Sequence, residues 1–192
     1  MMINKEHLTD EGLRKFVNIR ASFGKGISDE LKKEFSNIVP LDKPLIKTDA
    51  INNYWLAGFV VTEGCFECVI RKCKTAKTGF QVAVRFTLIQ HSRDTFLFNV
   101  IQKHLNCGVV RVDSHKPQVV YSVSDFPSIF NIIIPFFDKY LIHGAKSADY
   151  ADFRKIAFLM GDKVHLTTEG LKKIKEIKAQ MNSKIVHSVN TN

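Results

Sequence analysis

Apolar residues recur along this chain with two different periods, and the switch between them outlines a fold. Over "NNYWLAGFVVTEGCF", residues 52–66, they crowd together with small residues at Ala57 and Gly58. Asn52 or Asn53 is suited to cap a helix there, running to Glu63 with Gly64 as its stop. From Cys65 the period becomes two. Phe66, Cys68 and Ile70 oppose Glu67, Val69, Arg71 and Cys73; after a turn at "TAKTG", Val82, Val84, Phe86 and Leu88 oppose Gln81, Ala83, Arg85 and Thr87. That alternation predicts a hairpin with one buried face. "RDTFLFNVIQKHLN" returns to helical spacing, and "GVVRVD" and "VVYSVS" flank a turn at "SHKPQ" as a second hairpin. "DFPSIFNIIIPFFDKY" reads as helical on both sides of Pro135, and "SADYADFRKIAFLMGDK" and one more helix close the chain. The order α-β-β-α-β-β-α plus closing helices predicts an α+β unit. Its four-stranded antiparallel sheet has helices on one face and leaves the other open.

The chain also repeats itself. "HLTDEGLRKFVNIRA" (His7 to Ala21) returns as "HLTTEGLKKIKEIKA" (His165 to Ala179), identical at nine of fifteen positions. Thr9 and Thr167 are placed as N-caps, with an acid in each first turn and the leucine pairs Leu8/Leu13 and Leu166/Leu171 at staple spacing. One helix cannot bury its apolar face alone, so each copy is expected to close a larger unit. About 110 residues of such a unit precede the second copy, and none precede the first. The expected division is residues 1–35 as the closing helix of a missing first unit, 36–53 as an extended connector carrying Pro40 and Pro44, and 54–192 as one domain.

Charge narrows the partner. With 28 Lys and Arg against 19 acids, the chain carries +9 and is expected to bind polyanions, nucleic acid first among them. No apolar run approaches the roughly 20 residues that span a bilayer, so no membrane partner is expected. "MMINKEHLTDEG" resembles neither a signal nor a transit peptide. Cys65 and Cys68 form a C-x-x-C, but three residues apart on a strand they point to opposite faces, which suits zinc poorly. Cys107 and the neighbouring His104 lack a second pair.

One feature is awkward. A carboxylate at Glu63 meets the negative end of its own helix dipole, at a cost of roughly 0.3–1 kcal/mol. Together "WLAGFVVTEGCF", the two hairpins, "IQHSRD" and "HLTTEGLKKIKEIKAQMN" resemble the LAGLIDADG homing endonucleases, most nearly the two-motif type carried by fungal mitochondrial introns. The resemblance covers essentially the whole chain, from the end of the family's first half through its second half. It implies that the motif helix packs against a counterpart, through Leu56, Ala57, Gly58, Phe59, Val60 and Val61. Each helix would deliver one acid to Mg²⁺ ions flanking the scissile phosphates. Glu63 matches that acid, and the carbonyl of Thr62 would lie near the metal. Gln90 matches a polar residue near the water network, and Lys146 a lysine that approaches the phosphate.

The family's sheet face lies in the DNA major groove. The outward candidates here are Glu67, Val69, Arg71, Cys73, Gln81, Ala83, Arg85, Thr87, Val109, Arg111, Val120 and Ser122, with Lys72, Lys74 and Lys77 serving the backbone. Val61 and Thr62 depart from the motif, which usually has a small polar or acidic residue and then Ala or Gly; the first motif is absent. Two functions follow. One is half of an Mg²⁺-dependent, site-specific DNA endonuclease, acting as a homodimer or with a separately encoded first half. The other is a catalytically degenerate relative that binds structured RNA, as an intron maturase or ribosome-associated protein. The resemblance implies a mitochondrial location.

Overall fold

The structure, a computed structural model, describes residues 3–23, 26–35, 37–41 and 50–181. The chain divides into two compact units, Met1–Lys47 and Thr48–Asn192. Half of the expected connector (36 and 42–49) and the end of the expected domain (182–192) lie outside the described residues.

In the first unit a short 3₁₀ turn, Glu6–Leu8, leads into α1 (Asp10–Ala21), followed by α2 (Asp29–Glu34). Thr9 caps α1 by accepting from Gly12 N at 3.1 Å, and Ser28 caps α2. The sequence pattern did not single out α2.

The second unit opens with α3 (Asn53–Glu63), which passes directly into β1 (Gly64–Lys72). Gly64 ends the helix differently from the expected stop: it is extended, not left-handed. Its lack of a side chain answers a close approach instead, since a Cβ there would lie 2.5 Å from Val60 Cγ1 and 2.6 Å from Val60 O. β2 (Phe80–His91), α4 (Thr95–Leu105), β3 (Val109–Val112) and β4 (Gln118–Val123) follow, and the sheet order is β1-β2-β4-β3, antiparallel throughout. Short α5 (Phe126–Ser128) runs through a π-helical segment, Ile129–Ile133, into α6 (Ile134–Lys139). Pro135 has no N–H to give to the preceding turn, and that turn widens to Ile134 N bonding Ile129 O. α7 (Lys146–Gly161) and α8 (Thr168–Gln180) close the unit.

The core lies between the sheet and these helices. Phe66 is fully buried at its centre, with the rings of Phe86, Phe137, Tyr150 and Phe153 all 5.2–5.6 Å away. Val82, Val84, Phe86 and Leu88 point into the same core, as the alternation predicts. The opposite face is thereby committed to the polar row.

Candidate nucleic-acid interface and active site

Asn52 fastens the start of α3 through its side-chain oxygen, which accepts from Tyr54 N at 2.9 Å and Trp55 N at 3.2 Å. His104 Nε2, from α4, meets the Asn53 side-chain oxygen at 2.6 Å. These contacts aim the helix, and the aim corrects the expected partner face. Leu56 and Val60 are fully buried in the core and Ala57 is buried too, so none of the three is available to a partner. The accessible face is Tyr54, Trp55, Gly58 and Thr62, with Phe59 and Val61 half-buried. Trp55 stacks on Phe59 at 5.1 Å, and a Cβ added at Gly58 would meet nothing within 4 Å. Thr62 turns its hydroxyl back to donate to Phe59 O at 3.0 Å.

Two charges sit on helix ends that disfavour them. Glu63 is the last residue of α3, where the dipole is negative. Lys146 is the first residue of α7, where it is positive, and no side chain caps that end. Each position is unfavourable by roughly 0.3–1 kcal/mol. α7 packs on β1, the strand that follows Glu63: the thiol of Cys65, two residues after Glu63, has a pKa raised by burial and by the Glu67 carboxylate, and lowered by the charge of Lys146. Gln90 belongs to the same rim. Gly64 pairs with Leu88, so β2 continues past β1 by Ile89, Gln90 and His91, beside the end of α3. The side-chain oxygen of Gln90 accepts from His91 N at 3.2 Å.

On the open face the register brings the predicted residues into rows: Cys65 with Thr87, Glu67 with Arg85, Val69 with Ala83, Arg71 with Gln81. β4 and β3 extend it with Ser122 beside Thr87 and Val109 beside Ser122, and with Arg111 beside Val120. A shallow groove of about 240 Å³ runs over the hairpin, lined by Val69, Arg71, Gln81, Ala83, Val84, Arg85 and Ser124. Ser124 was not foreseen. It continues the alternation of Ser122 one residue beyond the end of β4. Lys72, Lys74 and Lys77 are exposed around the hairpin tip.

Two expected readers are corrected. Thr87 points to the open face but is only 9% exposed, and its hydroxyl is buried without a hydrogen-bond partner among the described residues. As it stands it cannot reach a base, and a buried unpaired hydroxyl costs about 1–3 kcal/mol. Cys73 lies beyond the last residue of β1; its N–H closes the hairpin loop onto Gly79 O at 2.9 Å and its Sγ lies 3.2 Å from Thr75 Oγ1. It belongs to the loop and not to the pleat. Cys68 faces the core, where burial pushes its thiol up to about 11. Sequence could not reveal the central ion pair: Arg85 Nε donates to Glu67 Oε2 at 2.7 Å, with the side chains 41% and 35% exposed.

Residues 56–157, more than half of the chain, match the family described as LAGLIDADG endonuclease. The chain belongs to this family. Among curated relatives it is 40% identical over 173 residues to "Probable intron-encoded endonuclease 3" of Neurospora crassa and 34% identical over 189 residues to "Probable intron-encoded endonuclease 2" of the same fungus. These alignments cover 89% and 93% of this chain but only 32% and 40% of the relatives, so the chain spans about a third to two fifths of their length. Among solved structures it resembles the meganuclease I-SmaMI bound to uncleavable DNA, with a TM-score of 0.89 and 43% identity, over 95% of this chain and 62% of that one. The same meganuclease has been solved on an uncleaved DNA target with calcium ions. The α+β architecture of the second unit, read from the period changes, is that of these LAGLIDADG proteins.

Proposed function

We propose that this chain supplies one half of a divalent-metal-dependent, site-specific DNA endonuclease, encoded by a mitochondrial intron. The observation that carries the reading is the pair of charges at the rim of the sheet. Glu63 and Lys146 each sit at a helix end that disfavours them, an arrangement that is rewarded only when a cation and a phosphate arrive. DNA is favoured over structured RNA because the solved meganuclease that this chain resembles is bound to DNA.

The donor set fits a hard cation in part. Glu63 offers carboxylate oxygens, and the carbonyls of the last turn, that of Thr62 included, add negative partial charge. Among the described residues no group of three or more His, Cys, Asp or Glu side chains could hold an ion. A second unit would contribute the second carboxylate, as a homodimer partner or a separately encoded first half, docking on the exposed Trp55 and Gly58 of α3, beside the half-buried Phe59. Mg²⁺ held there would polarise the phosphoryl oxygens and lower the pKa of a bound water. Lys146 would stabilise charge on the phosphate through its ammonium group, and Gln90 would orient water beside it. Arg71, Arg85 and Arg111 and the hairpin lysines would hold the duplex.

The test is cleavage of a selected DNA target by the chain complexed with its partner unit. Glu63→Gln keeps shape and loses the metal-binding charge, and should cut cleavage by at least about a hundredfold with binding nearly intact. Lys146→Met should slow cleavage less. A complete complex that binds its target and never cuts with Mg²⁺ or Mn²⁺ would end this reading.

A further inference from the structure

We infer that the outward rows of the β1–β2 hairpin specify a base pattern in the target: a guanine under Arg85, a thymine two base pairs further from the Glu63 end, and a purine two beyond that. This rests on the DNA reading above. The ion pair in the centre of the face carries it. A carboxylate in the middle of a basic surface is counterproductive on charge alone, since it cancels one positive charge where phosphates approach. Its geometry gives it another role. Glu67 and Arg85 are direct cross-strand partners, and Glu67 takes only the Nε edge of the guanidinium. Arg85 has no other hydrogen bond among the described residues, so its two Nη groups remain available. Those two donors form the fork that matches guanine O6 and N7. Pinned at Nε by a carboxylate on the neighbouring strand, the fork is held in one orientation before DNA arrives, and little side-chain freedom is left to lose. Arg85 is thus a base reader and Glu67 a positioning residue.

The spacing of the rows extends the pattern. Adjacent outward rows are two residues apart, about 6.8 Å along an antiparallel strand, and base pairs stack about 3.4 Å apart. Each row therefore advances two base pairs. The next row, Val69 with Ala83, is apolar and has nothing to donate or accept through its side chains. Such a row discriminates by contact with the thymine methyl. The third row, Arg71 with Gln81, is exposed and offers one side chain suited to guanine and one suited to adenine. All six residues line or border the shallow groove over the hairpin.

The experiment enriches duplexes from a randomised library on the full chain at low salt and sequences them. The expected result is guanine favoured by about ten- to a hundredfold at one position, with thymine and then a purine at successive two-base-pair steps. Arg85→Ala and Arg85→Lys should both erase the guanine preference, because Lys keeps the charge and loses the fork. Glu67→Ala should weaken preference at that position alone, and Glu67→Gln should restore most of it, because an amide oxygen still accepts from Nε. If Gln behaves as Ala does, the carboxylate acts only through charge and the positioning role is overturned. Salt-dependent binding without guanine enrichment, or enrichment that survives Arg85→Ala, overturns the base assignment and leaves the endonuclease reading standing. Failure to bind DNA even at low salt would overturn that reading itself.

Discussion

The two copies of the repeated helix begin alike and end in different surroundings. In both, a lysine takes a left-handed conformation (Lys5 and Lys163), a threonine caps the helix (Thr9 and Thr167), and a glycine follows three residues later. Gly12 and Gly170 are required by the same fit, since a Cβ on either would collide with a backbone carbonyl of the preceding 3₁₀ turn, Glu6 O in one copy and Val164 O in the other. The apolar faces then diverge. Leu171 and Ile174 of α8 are 5% and 0% exposed, whereas their counterparts in α1, Leu13 and Phe16, are 38% and 39% exposed. Start signals are thus local chemistry and work wherever the sequence is placed. Burial is supplied by neighbours, and α8 has α7 beside it. The cover that α1 would need is of the kind α8 already has, which agrees with a second unit of the same fold as the proposed partner.

The largest expected effect tests the difference in cover. Ile174→Ala should destabilise the second unit by about 2–5 kcal/mol, read by chemical denaturation. Phe16→Ala should cost well under half of that, because much of its surface already meets water. Equal losses would mean that α1 is as well covered in solution as α8. Addition of the partner unit should sharpen the contrast by raising the cost of Phe16→Ala.

A smaller effect tests the similarity. Thr9→Ala and Thr167→Ala each remove a cap worth about 1 kcal/mol. Hydrogen exchange should show the loss in both helices, locally at the Gly12 amide in α1 and across the closing helix in α8. A loss in one helix only would break the equivalence of the two starts. The smallest effect is acid sensitivity of α1. Glu11 and Lys15 form an ion pair at 2.7 Å, and the hydrogen bond to Lys15 holds the Glu11 carboxyl below the usual carboxylate range. A depressed carboxylate contributes stability above its unfolded pKa and loses it as pH falls through its folded one. Amide chemical shifts should therefore report fraying of α1 only as the solution is acidified through and below the carboxylate range.

Much of the candidate site was legible because its residues sit at points where period changes. Glu63 stands where helical crowding gives way to alternation, and the outward rows follow from parity once the inward Phe66 and Phe86 are known. The misreadings have one cause. Parity and apolarity say which way a residue points and not what lies over it. Leu56 and Val60 look like partner-facing residues in an apolar helix, yet the unit's own core claims them. Thr87 has the parity of a reader and is nevertheless covered. Cys73 continues the alternation of β1 past the point where the hairpin loop has begun.

Sequence by itself determined the order of strands and main helices in the second unit, both helix caps of the repeat, the inward and outward faces of the hairpins, and Glu63 as an acid at a helix end that disfavours it. These depend on residues within a few positions of one another, where propensity, capping and side-chain period act without help from the rest of the chain. Only the tertiary structure decided that the helix begun by Lys146, more than eighty residues away, packs on the strand that follows Glu63, that Glu67 bonds Arg85 across two strands, and that the accessible face of α3 is Tyr54, Trp55, Gly58 and Thr62. Those facts depend on strand register and on which surfaces pack first. Neither is written in local periodicity, because the same alternation is compatible with several registers until the core selects one.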